Sequence, residues 1–455
     1  MKRTATTLLL LFVIVVGFAK SPKYVFYFIG DGMGPSHILG TELFMGEMSG
    51  VIGRPHKLNL TGLPHSAFVT TYSASNGVTD SAASGTALAT GGKTYNGAIG
   101  YAPDGSNLYS VAHAAQQAGY AVGVSTTVCI NHATPSAFYA HQNSRNNYPQ
   151  IADEMLTAGY DFYAGGDPAN ISDNHRETLY RKAEEQGYSI ARGFEDYKEK
   201  RDNAERMILF QERVATEIPY TIDRDSNDLT LAQITEAGIE FLKGKSKKGF
   251  FLMVEGGKID YASHSNDAAT MMQEVLDFDR AIAVALDFYK KHSKETLIII
   301  TADHETGGLV LGNRSDYTLN LKALAGQKVS ADKMKEIIRQ AADKKALSWD
   351  EAKELLTENF GLWKESEVRK EAENNLKQLF TDAMNSSGDK RNDLLNTLVN
   401  VARTVVARSA ALSWASGNHS GTFVPLFAIG AGAEEFKGVI DNTDIPKMIK
   451  RIAKY

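Results

Sequence analysis

The chain is predicted to be an α/β protein: a mostly parallel central sheet with helices on both faces and a helical cap inserted late in the sequence. Three observations predict it. Short apolar runs recur along the 455 residues without polar alternation, as strands buried on both faces require. Helix-periodic stretches separate several of these runs, the pattern of a sheet built through crossovers. Acids and histidines follow directly on the runs, at the strand ends where open α/β sheets collect ligands. With 43% hydrophobic and 23% charged residues, the chain has enough apolar surface for a large core. A net charge of −5 with no polybasic tract excludes nucleic acid as an expected partner.

At the N-terminus, Lys2 and Arg3 precede an apolar run over 8–18 and then Ala19. This is the order of a secretory signal peptide, so residues 1–19 are expected to be removed. The run is short for a spanning helix and holds no cysteine for a lipid anchor, and no later stretch is apolar enough to cross a bilayer. A periplasmic or secreted location without a membrane anchor is the expectation. Residues 20–455 read as a single domain.

Residues 24–29 read as a buried strand ended by the tight loop Gly30-Asp31-Gly32-Met33-Gly34. Residues 81–90 are small and helix-compatible, and Gly91 and Gly92 stop them. They read as a short helix entered through Val78-Thr79-Asp80-Ser81, capped by Asp80 or Ser81. Its free N–H groups and partial positive charge suit a phosphate oxyanion. A helix over 108–118 leads to a strand over 121–127, followed by His132, Thr134 and Arg145. The lone cysteine, Cys129, lies in the apolar run 121–130, reads as core and excludes an intramolecular disulfide. Further strands are expected at 249–254, 296–301 and 423–429, with a helix over 268–289. Two regions, near 170–215 and 315–410, read as helical insertions added to this sheet. Residues 170–215 are charged and glycine-poor at their centre, and residues 315–410 are helical by pattern. In the second, Met334, Ile337, Ile338 and Ala341 share one face, and Ser348-Trp349-Asp350-Glu351 resembles a capping box.

The residues with chemical potential sit after the strands. In Glu255-Gly256-Gly257-Lys258-Ile259-Asp260-Tyr261-Ala262-Ser263-His264, Asp260 and His264 are four apart and share a face of any helical turn there. A carboxylate and an imidazole so placed suit Zn²⁺. Asp303-His304 is a second such pair, Asp31 an acid at the end of the first strand, and His419 a histidine in the polar loop Gly417-Asn418-His419-Ser420-Gly421. Each alone reads as structural. Together at one end of a sheet their charges would repel or demand desolvation, and a metal ion relieves both.

In order along the chain, Phe28-Ile29-Gly30-Asp31-Gly32-Met33-Gly34, Thr79-Asp80-Ser81-Ala82-Ala83-Ser84, Thr134-Pro135 with Arg145, Glu255 through Asp260 to His264, Thr301-Ala302-Asp303-His304 and His419-Ser420-Gly421 resemble the motifs of the alkaline phosphatase family. The resemblance covers the sheet and not the 170–215 and 315–410 regions. It implies a hydrolase of small phosphate monoesters, with Ser81 as the phosphorylated nucleophile and Arg145 holding the phosphate. It implies one zinc on Asp260, His264 and His419, a second on Asp31, Asp303 and His304, and a magnesium on Asp31, Thr134 and Glu255 with Asp31 bridging. Asp80 is implied to orient Arg145, and a homodimer is implied by resemblance alone. Two positions depart from the best-known bacterial pattern: His132 replaces an acid beside the magnesium site, and Tyr261 replaces a lysine near the phosphate. An imidazole is a weaker partner than a carboxylate for the waters Mg²⁺ keeps, and itself suits zinc, so the third metal is expected to be Mg²⁺ or Zn²⁺. Glu255 and Arg145 argue against a phosphodiesterase or a sulfatase. Ser81 argues against a protein that only binds phosphate, because binding needs no nucleophile.

Overall fold

The computed structural model describes residues 21–344 and 347–455; the expected signal peptide, 1–19, lies outside the described residues. In chain order the strands are β1 (Tyr24–Gly30), β2 (His65–Thr70), β3 (Ala121–Cys129), β4 (Phe162–Gly166), β5 (Tyr188–Arg192), β6 (Arg206–Phe210), β7 (Phe250–Gly256), β8 (Thr296–Thr301), β9 (Glu305–Thr306), β10 (Leu309–Leu311), β11 (Leu412–Trp414), β12 (His419–Ser420), β13 (Val424–Gly430) and β14 (Gly438–Asp441). Ten of them form one sheet in the order β14-β2-β13-β8-β1-β7-β3-β4-β6-β5. β13 pairs antiparallel with both its neighbours, and every other pair is parallel. The sheet is therefore mostly parallel, as expected from its unalternating strands.

The four middle strands β8, β1, β7 and β3 are buried along their lengths, apart from the half-buried Tyr24. Helices cover both faces, so no polar alternation survives in these strands. Their registers align the strand ends. Ile29 pairs with both Glu255 and Thr301, and Thr126 pairs with Glu255. Asp31, Glu255 and Asp303 thus emerge side by side from the carboxyl ends of three adjacent parallel strands.

The helix expected over 108–118 runs Val111–Gln117, with Ser110 as its cap, and the one expected over 268–289 runs Ala268–His292. Residues 170–215 differ from the reading as a helical insertion. They carry helices Asp173–Glu185 and Gly193–Lys200, but also β5 and β6, which extend the main sheet at one edge. Each of these strands has only five residues, and charged neighbours mask the buried run Met207 to Phe210. The later region is helical: Ala331–Lys344, Trp349–Phe360, Lys370–Met384 and Gly388–Ser409, with Ser348 and Glu351 forming the capping box. Met334, Ile338, Leu395, Leu398 and Ala402 are fully buried, so these stripes are core.

Candidate active site

The helix Ser81–Thr90 begins at the capping residue Asp80, whose carboxylate accepts from the Ala83 amide at 3.0 Å. Its small residues serve close packing. A Cβ on Gly85 would sit 3.2 Å from the Cα of Thr134, so this turn lies directly against the segment after β3. Ser84 Oγ donates to the Asp303 carbonyl at 2.6 Å and ties the helix to the segment after β8. Ser81 is consequently held in the interior, its Oγ 3.2 Å from His304 Nε2.

Around it lie three trios of potential ligand atoms, each within 4.8 Å of one another: Asp260, His304 and His419; Asp31, Asp303 and His304; Asp31, His132 and Glu255. Every residue read from the sequence as a ligand is at this end of the sheet. His264 borders the first trio, its Nε2 3.2 Å from His419 Nε2 and 3.3 Å from Asp260 Oδ2. His304 bridges two trios, with its ring stacked 3.6 Å from that of His419.

The buried acids fit cations. Asp303 Oδ1 accepts from the Gly32 and His304 amides, and Glu255 Oε2 accepts from Thr126 Oγ1. The opposite oxygens, Asp303 Oδ2 and Glu255 Oε1, have no hydrogen-bond partner, nor do both oxygens of Asp31, Thr134 Oγ1 and His132 Nδ1. Burial and the charges of Asp303, Asp260 and Glu255 push Asp31 far above the ordinary carboxylate range. Burial, with Asp303 nearby, raises Glu255 to about 8, and burial with Asp260 raises Asp303 to about 7. Orphaned, mutually repelling carboxylates of this kind are what a divalent ion satisfies. Asp260 behaves oppositely. Burial would raise it, but its hydrogen bond to His264 and the nearby imidazoles hold it well below the usual range. The same bond raises His264 to about 9.

The imidazoles are oriented from outside. His264 Nδ1 meets the Gly417 carbonyl at 2.7 Å and His419 Nδ1 meets the Thr79 carbonyl at 2.8 Å. A carbonyl only accepts, so Nδ1 carries a proton on both rings, and Nε2 is the atom left to turn a lone pair toward a cation, on His264 once its proton to Asp260 is given up. Gly32, at φ +71°, passes close beneath: a Cβ there would lie 2.9 Å from Asp260 Oδ1.

Arg145 is fixed on three sides. Its backbone donates to the Gly97 carbonyl, Nη1 donates to Asp80 Oδ2 at 3.0 Å, and Nη2 lies 3.1 Å from His132 Nε2. Burial and the Arg145 charge hold His132 down to about 3, so its ring is neutral at working pH. Tyr261 sets its ring edge-on to that of His132, at 78° with centroids 5.9 Å apart. Sequence reasoning missed two hydroxyls. Thr306 Oγ1 donates to Asp260 Oδ1 at 2.5 Å and lies 3.2 Å from His304 Nδ1, and Thr126 holds Glu255. Thr306 carries one weak signal, its place two residues after His304.

A serine alcohol, a two-pronged cation and three cation-seeking clusters within one crowded pocket suit phosphoryl chemistry. The sequence matches the alkaline phosphatase family model over residues 22–455. The chain belongs to the alkaline phosphatase family. Alkaline phosphatase 4 of Bacillus subtilis is 35% identical over 443 residues, covering 95% of this chain and 89% of that protein. A cold-active alkaline phosphatase from a psychrophilic Shewanella species superposes with a TM-score of 0.80 at 30% identity, over 94% of this chain and 99% of the other. An alkaline phosphatase from the Antarctic bacterium TAB5, in a variant with a histidine replaced by glutamate and Mg bound in its M3 site, superposes with a TM-score of 0.66 at 26% identity, over 96% and 99% of the two chains. The enzyme is a phosphomonoester hydrolase of this metal-dependent family. Among the described residues, no helix is long and apolar enough to cross a membrane.

Proposed function

We propose that the enzyme releases phosphate from small phosphate monoesters by two successive displacements at phosphorus, with Ser81 as the covalent nucleophile. The observation that carries this reading is the placing of Ser81 Oγ at a helix start, 3.2 Å from the imidazole shared by two ligand trios. Asp260, His264 and His419 would hold one zinc, Asp31, Asp303 and His304 the other, and Asp31, Thr134 and Glu255 a third ion. When bound, these ions supply Lewis acidity: they lower the pKa of an alcohol or water and offset charge on oxygen.

Arg145 receives the phosphoryl group through two parallel N–H donors, and Asp80 keeps the fork aimed inward. Ser81 Oγ forms the new P–O bond as the ester P–O bond breaks, and the alcohol leaves with a proton. Water then attacks the phosphoserine, inorganic phosphate leaves, and the Ser81 hydroxyl is restored. His132 keeps Nη2 of Arg145 in place and, grouped with Asp31 and Glu255, would stand beside a third ion. A carboxylate in place of a histidine accompanies Mg in the TAB5 variant. By analogy, His132 shifts this third site away from strict Mg²⁺ preference and toward Zn²⁺. The mature chain works as a periplasmic or secreted homodimer; Leu39, Met48 and Val310 are exposed apolar side chains available to a subunit contact. Quenching turnover of a ³²P-labelled monoester in acid should trap the label on a peptide containing Ser81. Label on Ser84 or Thr79 instead would sink the assignment.

A further inference from the structure

Glu305 follows the Asp303-His304 pair, yet it belongs to none of the three ligand trios and is only 3% exposed. Its carboxylate accepts from the Gly308 amide at 2.9 Å, from the Leu309 amide at 3.3 Å, and from the hydroxyl of Ser420. The last contact closes a two-residue ribbon in which Ser420 pairs with Glu305 and His419 pairs with Thr306. The loop before this ribbon supplies the Gly417 carbonyl that orients His264. A second path reaches His264 as well. Glu305 Oε1 lies 3.9 Å from Nδ1 of the fully buried His37, whose Nε2 meets Ser263 Oγ at 3.1 Å, one residue before His264. Gly34 makes room for the arrangement, since a Cβ there would lie 2.2 Å from Glu305 Cγ.

Both ligands tied to this carboxylate belong to the more open metal set. The His264 side chain is 38% exposed and that of His419 13%, whereas Asp31, Asp303 and His304 are wholly buried. An ion on the open set is held by residues whose positions depend on a short polar loop. We propose that Glu305, through Ser420, is the positioning residue that latches this loop and retains the metal on Asp260, His264 and His419. The inference rests on assigning those three residues to one ion.

The test is zinc release from the metal-loaded full-length enzyme into a chromophoric chelator, with Glu305→Gln, Ser420→Ala and Ser420→Thr beside wild type. Outer-sphere partners of metal ligands set affinity by about 10- to 100-fold, so the faster release phase should speed up about tenfold in Glu305→Gln and Ser420→Ala. Ser420→Thr, which keeps the hydroxyl, should restore the wild-type rate, and the slower phase should not move. Unchanged release in both variants, or equal acceleration of both phases, overturns the latch. Anomalous scattering that shows no zinc on His264 and His419 of the wild-type enzyme overturns the underlying assignment instead.

Discussion

Stripping the metals should make the protein's stability fall with pH in the neutral range, where the loaded enzyme is indifferent. Without cations, Glu255 and Asp303 retain their protons up to about 8 and about 7. In the unfolded chain they would release them near pH 4. A folded value raised above the unfolded one stabilises fully below the unfolded pKa, and that contribution is lost as pH climbs to the folded value. Below pH 6.5 the trend is opposed, because burial and neighbouring cations depress His304 and His132, which disfavour folding where the unfolded chain protonates them. Above it only falling contributions remain: Asp31, held far above the ordinary range by burial and the surrounding acids, acts in the same direction as Glu255 and Asp303, and His264, raised to about 9, adds to them with a discount for its partial exposure. At about 1.4 kcal/mol per pH unit, Glu255 loses about 2 kcal/mol from pH 6.5 to 8 and Asp303 a little under 1, so these two carboxyls alone give about 3 kcal/mol. An unfolding entropy of about 2.1 cal/mol/K per residue makes this roughly 3 °C in Tm. Scanning calorimetry on chelator-treated protein between pH 6.5 and 8.5 measures it, against enzyme replete in zinc and magnesium. Glu255→Gln in the stripped protein should flatten the slope. A Tm that stays level or rises with pH in the stripped wild type would refute the argument, and with it the view that these carboxylates depend on cations for their charge.

Ser81→Ala should lose most of kcat yet keep a measurable remainder, because Arg145 and the ligand clusters still stabilise charge; wild-type turnover in the variant would remove Ser81 from the mechanism. Arg145→Lys should lower kcat/KM by about 10-fold to 100-fold, since lysine cannot reproduce two parallel donors, and competitive inhibition by inorganic phosphate should weaken with it. His419→Ala should lose zinc and activity together, and an unchanged zinc stoichiometry by elemental analysis would make His419 a loop residue. His132→Asp should increase the dependence of activity on added Mg²⁺, whereas identical Mg²⁺ titrations of variant and wild type would show that His132 does not tune the third site.

What the residues revealed beforehand, and what they hid, follows from where each acts. Asp31, Glu255 and Asp303 were legible because each ends or follows an unbroken apolar run, and a buried parallel strand announces itself by that lack of alternation. The direction of β13 was not legible: its residues would suit either orientation, and only its pairing with β2 and β8 reverses it. β5 and β6 escaped because a five-residue strand at a sheet edge, flanked by charged helices, has the composition of a surface insertion. The same division runs through the site. Residues with cation-seeking groups stand out by type, whereas Thr126, Thr306 and Glu305 act through partners 129, 46 and 115 positions away, and apart from the nearness of Thr306 and Glu305 to His304 nothing local distinguishes them from ordinary polar residues. Yet these partners decide which oxygen of each carboxylate faces inward. Thr126 occupies Oε2 of Glu255 and the Gly32 amide occupies Oδ1 of Asp303, leaving one free oxygen on each. The ligand types are therefore encoded locally, while the geometry that makes them selective is a property of the strand register that brings Thr126, Ile29 and Thr301 level.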